Sequence, residues 1–394
     1  MKYKLLIIED DKDFLRNLKK IVKIQMQKYQ DSIEFEVIFA SYLSEVSELI
    51  DKHYYIGCSI DQNIPKNEII AEHEDYGVEA SKTIKKGNVL IYPIMYTSYH
   101  YNINFNSVLN ISKMNYLNKN DCEIDEWAKK LIDNTREYIA SGIFDDAVDY
   151  LPFSLGEIID KYRISSDEES KTILVIHFFE LALKMFYGSV MATIGKNIKP
   201  QWINAKMIDR LKDISQNINR LLVKLEKLQW SSEPTKLTLK DFYYQLNDFC
   251  NKSNIYSLNE NQKIQINKLL NSELFESLDK LRAFRNSYER TIEKPNMDDE
   301  VKYHFINILL HTSYFYTNPI IYINKTSMRN NKLEINSTEV LGNGNRFEFI
   351  QESGEFVNEY SLYQIFDKDT TTIINVDNYF EKDKEQRSLI LRIK

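Results

Sequence analysis
The chain has 394 residues, a length for two or three domains, and its 43% hydrophobic and 28% charged residues are ordinary for a soluble globular protein. A net charge of −7 excludes the bulk positive field that holds a protein on nucleic acid, and ten glycines and seven prolines are too few for long flexible linkers. Three widely spaced cysteines (Cys58, Cys122, Cys250) form no CxxC pair and no even disulfide set. With an opening that carries no cleavable signal pattern, they predict reduced thiols and a cytoplasmic location.

Residues 1 to about 125 alternate strand and helix patterns. Strand 3–8 is followed by an amphipathic helix over 13–28, with Phe14, Leu18, Ile21 and Val22 on one stripe. Strand 35–39, helix 43–52, strand 54–60, helix 77–86, strand 89–96 and a short strand at 114–117 complete the series. This rhythm predicts an α/β fold, a doubly wound parallel sheet of five strands with helices on both faces.

From about 126 to 318 the pattern is helical: 127–141, 144–161 with a break at Pro152, 169–194, 203–228, 239–252, 261–290 and 298–316. The most apolar stretch, Thr172 to Gly195, contains His177, Glu180 and Lys184, so it predicts a buried core helix and no membrane span. Residues 203–228 repeat apolar side chains at helical spacing, as a packed core helix or a coiled-coil seam does. His304 and His311 lie seven apart on one predicted helix without other metal-ligating company, as core histidines do. From about 319 to 394 the period changes to strands. Residues 332–336, 346–350, 362–366 and 372–376, with turns at 341–345 and 367–369, predict a small antiparallel β module.

Two strands of the first part end on acids. Lys4-Leu5-Leu6-Ile7-Ile8 runs into Glu9-Asp10-Asp11, and Tyr55-Ile56-Gly57-Cys58-Ser59-Ile60 runs into Asp61-Gln62-Asn63. Ligands of open α/β sheets collect at the carboxyl ends of strands, and carboxylates delivered to one such edge suit a hard cation such as Mg²⁺. Taken singly, Asp61 is also what a turn after a strand uses, Glu9-Asp10-Asp11 what a helix cap uses, and Lys119 an ordinary surface lysine.

Together with Tyr92-Pro93-Ile94-Met95-Tyr96-Thr97-Ser98, Gly77-Val78-Glu79 and Tyr116-Leu117-Asn118-Lys119, these segments make the first third of the chain resemble the CheY-like receiver domain of two-component response regulators. The resemblance implies Asp61 as phosphoacceptor, Mg²⁺ held by Glu9, Asp10, Asp61 and the Asn63 backbone carbonyl, Thr97 and Lys119 contacting the phosphoryl group, and Tyr116 as the switch aromatic. It implies a phosphoprotein that takes an aspartyl phosphate from a cognate histidine kinase, loses it at most slowly by autodephosphorylation, and signals to an effector protein or a second copy. Three departures stand out: Asn120 replaces the usual proline after the lysine, Tyr99 follows Thr97 at a position over the phosphoryl group, and Asn102, Asn104, Asn106 and Asn110 make 98–114 a poor helix. An insertion from Lys66 to Tyr76, rich in acids (Glu68, Glu72, Glu74, Asp75), either covers the site or is a lengthened solvated loop.

No helix-turn-helix turn with a basic recognition helix, no P-loop and no Gly-rich nucleotide loop appears, so neither DNA nor a membrane is an expected partner. Leu281-Arg282-Ala283-Phe284-Arg285-Asn286 resembles the end of a HEPN-type nuclease module, which implies an alternative, a receiver-gated RNase using Arg285 and Asn286; the histidine of that motif is lacking. The segments 150–155 and 175–182 and the tail around 341–347 are similar to helical accessory modules of bacterial conflict systems. That likeness implies a two-component pathway of antiviral defense, such as a Detocs-type receiver protein acting as switch or phosphate sink.

Overall fold
The computed structural model describes residues 2–29, 33–69, 73–74, 76–98, 114–197, 264, 267–269, 271–292, 294–329, 332–339, 346–351, 362–366, 372–375, 380–382 and 389–391. The expectations for Tyr99, the asparagines between 102 and 110, Glu72 and Asp75, the helices at 203–228 and 239–252, and the turns at 341–345 and 367–369 lie outside these residues. The chain divides into two compact units, Met1–Phe179 with Glu276–Thr317, and Glu180–Phe275 with Asn318–Lys394. Among the described residues no helix is long and apolar enough to cross a membrane.

The first unit opens with β1 (Lys2–Ile8), α1 (Lys12–Met26), β2 (Glu34–Ala40), α2 (Leu43–Lys52) and β3 (Gly57–Ile60). A short antiparallel ribbon follows, β4 (Ile64–Pro65) and β5 (His73–Glu74), then α3 (Tyr76–Gly87), β6 (Tyr92–Thr97) and β7 (Asn115–Asn118). Strands β2-β1-β3-β6-β7 make one five-stranded parallel sheet in that order. Leu5, Leu6, Ile7 and Ile8 are all buried, the continuous apolar run of a strand covered on both faces. On one face Leu6, Ile8, Cys58, Ile60 and Met95 meet Val46 and Ile50 of α2 and Ala80 and Ile84 of α3. On the other, α1 packs beside α4 (Ile124–Glu137), whose Trp127, Ala128 and Leu131 are fully buried. Strand β1 lies between β2 and β3, so successive connections leave it in opposite directions. The switch in winding opens a crevice at the carboxyl ends of β1 and β3.

The expected strand 54–60 joins the ladder at Ile56, whose N donates to Lys4 O at 2.9 Å and whose O accepts from Tyr92 N at 3.0 Å. Tyr54 and Tyr55 are buried ahead of it, Tyr54 against the ring of His311 at 4.6 Å. The ribbon was not expected, and it fills part of the Lys66–Tyr76 insertion.

Beyond α4 the helix continues through a π-helical turn (Tyr138–Gly142) into α5 (Ile143–Tyr150). Next come α6 (Phe153–Ile164), which starts after Pro152, and α7 (Glu168–Asn197). Farther along the chain stand α8 (Ser272–Arg290), α9 (Asp299–His311) and α10 (Ser313–Thr317). In this unit Phe305 of α9 stacks on Phe144 and meets Tyr162 and Phe178 edge-on. These helices reach the sheet at the starts of its strands: Tyr303 against Tyr3, Ser313 Oγ donating to Asn88 Oδ1 at 3.3 Å, and Thr317 Oγ1 donating to the Lys86 carbonyl at 3.0 Å. The carboxyl ends of the strands are left to the site.

The second unit carries an antiparallel sheet ordered β10-β9-β8-β11-β12, from β8 (Ile320–Arg329), β9 (Lys332–Glu339), β10 (Arg346–Gln351), β11 (Leu362–Phe366) and β12 (Thr372–Asn375). A second small pair, β13 (Phe380–Lys382) and β14 (Leu389–Leu391), is also antiparallel. The expected β module is therefore present and larger than the hairpins read from the alternation, because β8 adds a central strand.

Candidate functional site
The sheet ladder runs one step past its strands and so delivers the acids to one edge. Glu9 N donates to Ala40 O at 2.9 Å, and Asp61 N donates to Ile8 O at 3.0 Å. Glu9 and Asp61 are 3% and 8% exposed, Asp10 is half-buried, and carboxylate oxygens of all three lie within 4.8 Å of one another. Asp11, the fourth acid of the cluster, is spent on the fold: its Oδ1 accepts from Asp13 N and Phe14 N and caps α1.

Lys119 closes the site. Its own N–H donates to Thr97 O at 2.8 Å, which continues the β6–β7 pairing. Its Nζ donates to Glu9 Oε2 and to Asp61 Oδ2, both at 2.7 Å. The ammonium also lies over the rings of Phe14 (4.6 Å) and Tyr96 (5.7 Å). Tyr96 is stacked between Phe14 and Trp127, and Trp127 Nε1 donates to Ser59 Oγ at 3.0 Å.

The Lys119 ammonium bonds two of the three carboxylates, Glu9 and Asp61. Burial pushes the Glu9 carboxyl up to about 7, against the opposing pull of Lys119 and with a further push from Asp61. Lys119 is drawn down by burial but raised, on balance, by Asp61 and Glu9, so it stays an ammonium. Carboxylate oxygens of Glu9, Asp10 and Asp61 lie close enough to share one ion, and that donor set fits a small hard cation.

Thr97 is fully buried at the end of β6, beside Asn118 in register. Asn63 N donates to Asp61 Oδ1 at 3.3 Å, so the Asn63 backbone is folded back toward the carboxylate. Tyr116 is half-buried opposite Met95 and packs against the α2–α3 side of the core. Glu9, Asp10, Asp61 and Lys119 thus come together.

CheY-like receiver domains of known structure match this part of the chain. A response regulator receiver domain protein (CheY-like) from Methanospirillum hungatei is 19% identical over 35% of this chain and 97% of its own, with a TM-score of 0.28. A response regulator from Burkholderia pseudomallei, with a phosphorylated aspartic acid, calcium ion and citrate, is 16% identical over 35% of this chain and 71% of its own (TM-score 0.26). The BeF3-activated DrrB receiver domain is 17% identical over 35% and 99% (TM-score 0.25). No protein-family model and no curated protein matches.

Two further residues line the site that the sequence does not single out for it. Phe14 lies on the apolar stripe of the first predicted helix and Tyr96 in the segment 92–98; that both rings flank Lys119 depends on where the first turn of α1 meets the end of β6. Arg285 and Asn286 stand on α8, in the helical part of the unit. Arg285 is 5% exposed, with Nη1 2.8 Å from Glu289 Oε2 and 3.3 Å from Asn286 Oδ1. His304 and His311 are buried core residues, bonded to Ser277 Oγ and to the Asn307 carbonyl. His177 is exposed on α7.

Proposed function
We propose that this chain is a response-regulator-like phosphoacceptor that takes a phosphoryl group onto Asp61 from a cognate histidine kinase, with Mg²⁺, in a two-component or phage-defence pathway. The observation that carries the reading is Lys119 Nζ held 2.7 Å from both Asp61 and Glu9 at the carboxyl ends of the strands. An Asp61 oxygen attacks phosphorus, the bond from phosphorus to the donor nitrogen breaks, and its electron pair stays on the departing imidazole. Like-charge repulsion opposes that approach. Bound Mg²⁺ supplies positive charge beside the acceptor and the transferring group. Glu9, Asp10 and Asp61, with the Asn63 carbonyl, are the residues to hold it. Lys119, released from the carboxylate pair, offers its ammonium to a phosphoryl oxygen, and Thr97 offers a hydroxyl. Tyr116 is the side chain that reports the new charge to its surroundings. The regions beyond the receiver-like part serve partner binding or self-association and not DNA binding.

The test is incubation of the full chain with radiolabelled acetyl phosphate and Mg²⁺. Wild type should acquire a hydroxylamine-labile label, and Asp61→Asn should acquire none. Equal labelling of the two proteins, or none in wild type, overturns the assignment. Beryllofluoride then separates two roles: a switch changes oligomeric state or partner affinity, whereas a phosphate sink changes neither and drains the kinase rapidly.

A further inference from the structure
The loop after Asp61 is held from two directions. On one side the ribbon pairs Ile64 with Glu74 and Pro65 with His73, and Lys66 O accepts from Ser44 N at 3.1 Å. On the other, the first turn of α3 returns to the loop, with Gly77 N donating to Gln62 O at 2.9 Å. The approach at Gly77 is far closer than a side chain allows. A β-carbon there would stand 2.1 Å from Asp61 O, 2.5 Å from Gln62 Cα and 2.7 Å from Gln62 O. All three obstructing atoms are backbone, so no side chain can swing aside. Gly77 is the second residue of a helix, so its freedom of backbone conformation is not what the position needs; closeness is.

We propose that Gly77 is a positioning residue for the phosphoacceptor loop, letting α3 seat directly on the Asp61–Gln62 peptide and so fixing the Asp61 carboxylate and the Asn63 carbonyl for the cation. This rests on the phosphoacceptor reading above. A methyl group at 77 forces the peptide or the helix start to move by about an ångström, the scale on which a positioned group loses most of its effect. The ribbon serves the same seat. Sixteen positions separate Asp61 from Gly77, and the β4–β5 pairing folds them back so that the helix start still meets the loop.

The experiment titrates MgCl₂ into the full chain by calorimetry, comparing wild type, Gly77→Ala and a control, Gly156→Ala. At Gly156 the nearest atom to a new β-carbon is Val148 O at 3.4 Å, an ordinary contact. Gly77→Ala is expected to bind Mg²⁺ at least about tenfold more weakly, with Gly156→Ala unchanged. A role in packing alone would lower the thermal midpoint and leave the Mg²⁺ affinity intact, and wild-type affinity in Gly77→Ala overturns the proposal. If Gly77→Ala does not fold, Gly77→Ala/Gln62→Gly replaces it, with Gln62→Gly alone as its reference; Mg²⁺ binding weaker than in Gln62→Gly supports the proposal, and binding equal to it overturns it. Wild type that binds no Mg²⁺ overturns the phosphoacceptor reading and this inference with it, which is distinct from the failure of Gly77 alone.

Discussion

At the scale of single residues the site is a problem of crowded carboxylates. Glu9 is buried beside Asp61 with one shared ammonium, and its carboxyl is pushed up to about 7 from an ordinary value of 4.5. In the folded state it therefore binds a proton that the unfolded chain has already released between those two values. Stability from this source is complete below the unfolded value and is lost as pH rises through the folded one. In EDTA, wild type should lose stability between pH 5 and pH 8 relative to Glu9→Gln, by up to about 3 kcal/mol at roughly 1.4 kcal/mol per pH unit of displacement. Urea midpoints at the two pH values check it, and parallel slopes in the two proteins would count against a buried, strained Glu9. These acids were legible because each ends an apolar strand, and parallel pairing must bring strand ends together. Phe14 and Tyr96 were not, because nothing in local spacing says which ring will flank an ammonium 105 positions away from Phe14 in the chain.

At the scale of elements, the helix after β7 is fixed to the sheet by one residue above others. Trp127 is fully buried, stacks on Tyr96 at 5.2 Å and donates to Ser59 Oγ. Trp127→Phe keeps an aromatic ring but removes volume and leaves the Ser59 hydroxyl short of a partner. It should cost about 2–4 kcal/mol in urea unfolding. Adding Ser59→Ala to that variant should recover part of the loss, since the orphaned hydroxyl goes with it. A loss under about 0.5 kcal/mol, the usual size of a surface change, would mean that the helix is held elsewhere. Helices and strands with a full period were legible to within a few residues, and Pro152 marked its break because it has no N–H to give a helix interior. The β4–β5 ribbon was not legible. Its strands are two residues long, too short to show alternation, and its pairing is set by where α3 must restart.

At the scale of the molecule, which helices share a core with the sheet is decided by contacts hundreds of residues apart. Helices α9 and α10 close the strand-start end of the sheet through Tyr303 on Tyr3, His311 on Tyr54 and Ser313 on Asn88. The end of the alternating pattern near residue 125 tells where one kind of element stops; it carries no information about that packing, because an apolar stripe does not name its partner. Phe305 of α9 joins α5, α6 and α7, stacked on Phe144 at 5.9 Å and edge-on to Tyr162 at 5.2 Å and Phe178 at 5.3 Å. Phe305→Ala should cost about 3–5 kcal/mol, as large truncations in a close-packed core do. The consequence extends beyond α9. If the helices and the sheet form one cooperative unit, loosening Phe305 lowers amide protection in β1 and β3 as well as in α9. Hydrogen exchange on the full chain reads this directly. Protection lost only in the helices, with β1 and β3 unchanged, would mean that the sheet is stable without the helices packed under the starts of its strands.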